Sequence, residues 1–159
     1  MATTNMYDTI LLEVVVMTVR TSVHAMYNIQ YHFVWIPKYR RMILEDEIQK
    51  ETKAIIHGIG ERYDFEILEM SVKRDHIHLF LSAPPWYSPA EIVKTLKGVS
   101  AKHLFRRFPS IKEKLWGGNL WSRGYFVGTS GDKITNDLVR KYIQRQREQE
   151  DHTKQLELF

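Results

Sequence analysis

The residues His76-Ile77-His78 form the shortest arrangement in the chain from which metal chemistry could follow. In an extended strand successive side chains alternate, so the two imidazoles share a face and stand about 7 Å apart along the chain. Ile77, Leu79 and Leu81 then take the opposite face. Two imidazoles so placed can converge on one cation; two solvated histidines on an exposed strand are the plainer alternative. Tyr142 and Gln146 are four residues apart in a helical stretch, hence on one face and about 6 Å apart along the axis. A tyrosine hydroxyl can act as a covalent nucleophile. Tyr142 also continues the apolar stripe of Ile134 and Leu138, which is the pattern of ordinary core packing.

Cationic residues occur in three sets: Lys38, Arg40 and Arg41; Lys94, Lys97, Lys102, Arg106 and Arg107; and Arg140, Lys141, Arg145 and Arg147. Tyr39, Trp116, Trp121 and Tyr125 lie among them or between them. Cations that meet phosphates and rings that stack on unpaired bases are what single-stranded nucleic acid requires. A solvated helix face and aromatic packing are the alternatives. The sequence contains no Walker loop, no Gly-x-Gly-x-x-Gly and no Gly-x-Ser-x-Gly, so nothing points to a nucleotide cofactor or a serine hydrolase. It also lacks a carboxylate cluster of the two-metal nuclease kind.

These side chains need elements to position them. Alternation from Met26 to Ile36 predicts a strand with Tyr27, Ile29, Tyr31, Phe33 and Trp35 on one face and Asn28, Gln30 and His32 on the other. Ile48, Ile55, Ile56 and Ile59 predict a helix from Glu45 to about Tyr63. Phe65–Val72 and Asp75–Ala83 read as two further strands, joined by a hairpin at Lys73-Arg74 and placing His76 mid-strand. Ser88-Pro89-Ala90-Glu91 is a helix start, with Ser88 as cap, Pro89 in the first turn and Glu91 closing a capping box. That helix should end near Phe108, at Pro109. A fourth strand is predicted over Tyr125–Thr129 and a last helix from about Lys133 to Glu150, capped by Asp132. Gly128, Ser130 and Gly131 form a joint between them. The order strand, helix, strand, strand, helix, strand is the ferredoxin-like, or RRM-like, α+β pattern. It puts an antiparallel sheet under two helices and leaves the other face open for function.

The chain has 159 residues and a formal charge of +4, the size of one domain. Hydrophobic residues are 43% and charged residues 26%, which excludes a disordered or low-complexity chain. It has no cysteine, which removes disulfides, thiol nucleophiles and thiolate metal sites. No apolar run is long enough to span a membrane, and Ile10–Met17 lacks the flanks of a signal peptide. Residues 1–24 are expected to be an N-terminal extension, 25–150 the domain and 151–159 a tail; Met17 is a possible natural start. The location is expected to be cytoplasmic, nucleoid-associated in a prokaryote.

Taken in order, Tyr31-His32-Phe33-Val34-Trp35, Lys38-Tyr39-Arg40-Arg41, Asp75-His76-Ile77-His78-Leu79, Leu96-Lys97-Gly98-Val99-Ser100-Ala101, Lys114-Leu115-Trp116-Gly117-Gly118-Asn119-Leu120-Trp121 and Tyr142-Ile143-Gln144-Arg145-Gln146 resemble TnpA-type transposases. These are the single-tyrosine HUH enzymes of the smallest prokaryotic insertion sequences. The resemblance covers about residues 25–149. It departs at Lys73-Arg74, where many relatives carry a proline.

What the resemblance implies is specific. Tyr142 would be the nucleophile, carried on the C-terminal helix, and would form a 5′-phosphotyrosine on single-stranded DNA. His76, His78 and Gln146 would hold a divalent ion. Imidazole and amide donors by themselves suit manganese, nickel or zinc better than magnesium, whereas the resemblance points to Mg2+ or Mn2+. The substrate would be single-stranded DNA with subterminal hairpins, and the enzyme a homodimer whose last helix serves its own or its partner's histidines. Lys38, Arg40, Arg41, Lys94, Lys97 and Lys102 are the candidate DNA contacts. The ending Gln155-Leu156-Glu157-Leu158-Phe159 resembles the peptide that bacterial proteins insert into the replication sliding clamp, with Gln155, Leu156, Leu158 and Phe159 as anchors; a helix end tucked onto the domain is the alternative. A domesticated relative that processes repetitive hairpins, or a non-catalytic single-strand binder, would share most of these features.

Overall fold

Apolar alternation and two amphipathic helices dictate the architecture of the computed structural model, which describes residues 19–115, 118–129 and 136–157. The expectations for the extension up to residue 18, for Trp116 and Gly117, for the joint and cap at 130–135, and for Leu158 and Phe159 lie outside the described residues.

The elements in chain order are β1 (Arg20–Thr21), β2 (Met26–Tyr27), β3 (Gln30–Trp35), α1 (Asp46–Tyr63), β4 (Glu66–Val72), β5 (Ile77–Ser82), α2 (Pro89–Arg107), α3 (Pro109–Lys114), β6 (Phe126–Thr129) and α4 (Asn136–Glu157). The four longer strands make one antiparallel sheet in the order β4-β5-β3-β6. This is the ferredoxin-like arrangement, with the first long strand central and paired with the third and fourth.

One parity of each central strand faces α1 and α2. Phe33, Trp35, Ile77, Leu79 and Leu81 are fully buried there against Ile56, Ile59, Ile92, Leu96 and Leu104. The other parity carries Val34 and Ile36, which pack instead against Tyr142, Ile143 and Val139 of α4. The last helix therefore covers part of the face expected to be open.

Several boundaries depart from the sequence pattern for local reasons. The strand expected from Met26 onward is two pieces: Met26 and Tyr27 pair with Thr21 and Arg20 in a small separate hairpin, and the main sheet starts at Gln30. Arg20 ties that hairpin down by donating to the Asp64 carboxylate at 2.5 Å and to the Asp64 carbonyl at 3.1 Å. His76 is not mid-strand. It sits in the turn before β5, which Lys73 N closes by donating to His76 O at 2.9 Å. The helix from Pro89 does end where expected, at Arg107 with Phe108 as its cap, but Pro109 then opens the short helix α3 at its first position, where proline costs no hydrogen bond. α4 runs past Glu150 to Glu157, so no break separates domain from tail there.

The turn after α1 shows how closely backbones approach. Asp64 adopts φ 61°, ψ 37° and its N–H reaches Gly60 O, the left-handed ending common at helix C-termini. A Cβ on Gly60 would lie 2.7 Å from the Phe65 carbonyl oxygen, so that position tolerates only glycine without a backbone shift.

The N-terminus of α2 carries the predicted capping box in full. Glu91 N donates to Ser88 Oγ at 3.2 Å and Ser88 N donates to the Glu91 carboxylate at 2.8 Å. Ser88→Ala should lower unfolding free energy by about 1 kcal/mol; urea denaturation followed by circular dichroism checks it, with an unchanged midpoint as the contrary result.

Candidate active site

Register places the candidate residues. Directly opposed residues of antiparallel strands point to the same face. Val34 on β3 opposes His78 on β5 and Phe126 on β6, His32 opposes Phe80, and Ser71 and Glu69 on β4 oppose His78 and Phe80. His78, His32, Glu69 and Val34 thus share one face, the face that α4 partly covers.

His76 and His78 are held differently. His76 Nδ1 lies 2.9 Å from a carboxylate oxygen of Asp75. A carboxylate on Nδ1 makes that nitrogen the protonated one and leaves the Nε2 lone pair for an electrophile. His78 Nε2 lies 3.1 Å from His32 Nδ1, and the His32 ring stacks on Phe80 with centroids 4.1 Å apart. In the tautomer in which His78 Nε2–H donates to His32, the lone pair of His78 sits on Nδ1. Burial pushes the His78 imidazole down from its ordinary value; Glu69 opposes this and His76 adds to it. A neutral imidazole is the form that coordinates metal. Alternation puts His32 on this face, but nothing local pairs it with His78; only the pairing of β3 with β5 brings them together.

Tyr142 projects from α4 into the patch formed by Val34, Ile36 and Ile143, with the Phe126 ring 6.5 Å away. It is 9% exposed and its hydroxyl has no hydrogen-bond partner among the described residues. Burial, and secondarily the Glu150 carboxylate, push the phenol well above its ordinary value, so it is firmly protonated in this arrangement. Val34, the residue beneath it, is the register partner of His78. His78 and the residue that Tyr142 covers therefore stand on adjacent strands of one face, in strands about 5 Å apart in the pairing direction.

Gln146 is the residue whose placement differs most from a ligand's. Its Oε1 accepts from Ser122 Oγ at 3.3 Å and its Nε2 donates to Gln149 Oε1 at 3.1 Å. The amide lies so close to Gly124 that any Cβ there would collide with it. The single Ser122 hydroxyl proton is shared with the Glu150 carboxylate. No hydrogen bond or ring contact joins Tyr142 or Gln146 to His76 or His78, and among the described residues no group of three or more His, Asp or Glu side chains encloses a metal position. In kind, two imidazoles, one of them oriented by a carboxylate, fit a divalent cation. The amide expected to complete the set is engaged with the Ser122–Gly124 loop.

The candidate DNA contacts divide. Arg41, Lys94 and Lys102 are exposed and Lys38 is half-buried, while only the backbone of Arg40 is described. At the chain end Gln155 and Leu156 form the last turn of α4, with Leu156 66% exposed. Among the described residues no helix is long and apolar enough to cross a membrane.

Comparison with known proteins places the chain among transposases. Residues 25–146 match the family model described as "Transposase IS200 like". The chain is 40% identical over 124 residues to the ISDra2 transposase TnpA of Deinococcus radiodurans, covering 78% of this chain and 88% of that protein. It is 33% identical over 135 residues to the transposase for insertion sequence element IS200 of Salmonella typhimurium, covering 85% and 88%. A 1.90 Å crystal structure of a Deinococcus radiodurans protein superposes with a TM-score of 0.74 at 35% identity, covering 80% of this chain and 97% of that one.

Lys97, expected as a DNA contact, is turned inward. Its Nζ donates to the carbonyls of Ser122 at 2.5 Å and Gly124 at 3.1 Å, fastening the loop on which Gln146 rests. Burial pushes the Lys97 ammonium down to about 8. With a folded value below the unfolded one, the unfolded chain holds the proton longer as pH rises. Native stability is therefore flat below about pH 8 and increases from there toward the unfolded value near 10.4. The neutral amine keeps donors for both carbonyls. Against a Lys97→Met variant, the wild type should gain stability between pH 8 and 10, read as a widening gap between urea midpoints. A gap constant with pH would show that Lys97 is not desolvated.

Proposed function

The chain belongs to the IS200-like transposase family, and from that premise we propose that it cuts and rejoins single-stranded DNA at the ends of a mobile element through a covalent bond to Tyr142. The observation that carries this reading is the sharing of one sheet face, on adjacent strands, by His78 and the residue that Tyr142 covers.

In this reaction the Tyr142 oxygen bonds to the scissile phosphorus as the bond from phosphorus to the 3′ oxygen breaks. The products are a 5′-phosphotyrosine and a free 3′-hydroxyl, the latter taking up a proton. A 3′-hydroxyl from another strand reverses the step, so rejoining consumes no nucleotide cofactor. His76 and His78 would hold the divalent ion, Mg2+ or Mn2+, with the Gln146 amide as third ligand from the same chain or a second copy. When bound, that ion offsets phosphate charge and stabilises the departing oxygen. Asp75 orients the His76 ring by holding its Nδ1. The buried phenol is a weak nucleophile where it stands. Reaction therefore requires α4 to lift Tyr142 out of the Val34–Ile36 patch and to release Gln146 from Ser122. A homodimer gives that helix a second set of histidines to reach. Subterminal hairpins flanking the cleavage site would position the strand, and a tail anchored on the sliding clamp would bring the enzyme to replicating DNA, where single strands occur.

Incubation with labelled single strands from element ends and Mn2+ or Mg2+ should give a covalent adduct on denaturing gels. The adduct should vanish in Tyr142→Phe while noncovalent binding persists. Binding without an adduct under either metal would instead identify a non-catalytic module. Asp75→Asn should weaken metal activation about 10- to 100-fold, read as a shift in the Mn2+ concentration for half-maximal cleavage; an unshifted metal dependence would mean that the carboxylate does not orient His76.

A further inference from the structure

Between the C-terminal half of α4, the turn at Lys38–Arg40 and the Ser122–Gly124 loop lies a cavity of about 450 Å³ with Gln146 in its wall. Its other principal groups are the Tyr39 ring, the cations of Lys38, Arg123 and Lys154, and the Gln149 amide. We propose that this cavity is a subsite for one unpaired nucleotide of the DNA strand, with its base on the Tyr39 ring and its phosphate among Lys38, Arg123 and Lys154. The inference rests on the single-stranded DNA reading above and locates part of that strand.

Three observations lead to it. Tyr39 adopts φ 57°, ψ 24°, a left-handed conformation that a bulky residue rarely holds. Such outliers persist where surrounding structure enforces them, and they gather at binding sites. Here the enforcement is visible: Lys38 N donates to Leu120 O at 2.8 Å and Ser122 N donates to Ile36 O at 3.0 Å, lacing the turn to the opposite wall. The two walls are thus preorganised relative to each other.

Second, the ring already attracts cations. Lys154 Nζ stands 4.4 Å and Lys38 Nζ 5.3 Å from its centroid. A base stacking on the ring would displace an ammonium that has a phosphate to turn to. Rings and cations at such spacing are the usual means of holding single strands without reading sequence. Glu150 is also in the wall, but its carboxylate is engaged by Ser122 Oγ.

Third, the cavity opens beside the amide of Gln146, one helical turn from Tyr142. A nucleotide seated there is covalently continuous with a strand passing the phenol. Its arrival would also compete for the groups that hold Gln146.

The test uses the full chain carrying Tyr142→Phe, so that binding is read without covalent chemistry, and a fluorescein-labelled oligodeoxythymidine as probe. Tyr39→Asn removes the ring with a residue that tolerates the left-handed backbone; Tyr39→Phe keeps it. Fluorescence anisotropy should show affinity about 5- to 100-fold weaker for Tyr39→Asn and near the parent's for Tyr39→Phe. Lys154→Gln should reduce the slope of log affinity against log salt by about 1. A blunt hairpin without single-stranded extension should bind equally to the parent and to Tyr39→Asn. Equal oligodeoxythymidine binding by Tyr39→Asn and the parent overturns the subsite, even if Tyr142 still forms its adduct in the otherwise unaltered chain. A parent that binds no single strand overturns the single-strand reading and this inference with it.

Discussion

The rest of the molecule depends on the strict alternation of β3 and β5. Each strand gives one parity wholly to the helices, where Phe33, Trp35, Ile77, Leu79 and Leu81 lose all contact with solvent. Burial of this kind, at roughly 25 cal/mol per Å² of apolar surface, sets the register because a one-residue slip would turn every one of these side chains outward. The opposite parity is then determined as well. His78, His32 and Glu69 stand on the second face because their neighbours must stand on the first. The chemistry is a by-product of a register enforced by the core.

α4 meets that second face with an apolar patch and not with a polar site. Tyr142 and Ile143 bury themselves on Val34 and Ile36, while the polar side of the same helix is tied to the Ser122–Gly124 loop through Gln146 and Glu150. The loop is in turn fastened from the far side of the sheet by Lys97 of α2. A phenol buried without a hydrogen bond is a costly arrangement, and burial also holds it protonated. The helix is thus held on that face by an apolar patch and by its ties to Ser122, and it buries a hydroxyl that has no hydrogen-bond partner among the described residues.

Much of this was legible before any coordinates. The period of two from Ile77 along β5, the period of four linking Tyr142 to Gln146, and the Ser88 capping box are local patterns, and local patterns survive into the structure because backbone geometry alone enforces them. Boundaries were less legible. His76 falls in a turn because β5 pairs only from Ile77, and Pro109, which ends one helix as expected, also opens an unforeseen short one because proline is as acceptable at a first turn as it is disruptive inside. The partnership of His32 with His78 spans 46 residues and has no local signature. Neither does the inward turn of Lys97, whose sequence neighbours Lys94 and Lys102 remain exposed.

The sequence by itself determined which side chains share a strand face or a helix face, and with them the α+β pattern and the family. Those are consequences of covalent spacing and hydrophobic period, which need no distant partner. Only the tertiary structure decided which face α4 covers, that Gln146 rests on Ser122 and Gly124, and that Tyr39 borders the same cavity as Arg123 and Lys154. These depend on contacts between residues far apart in the chain, where the winning arrangement is selected by packing and desolvation and not by the spacing of residue types.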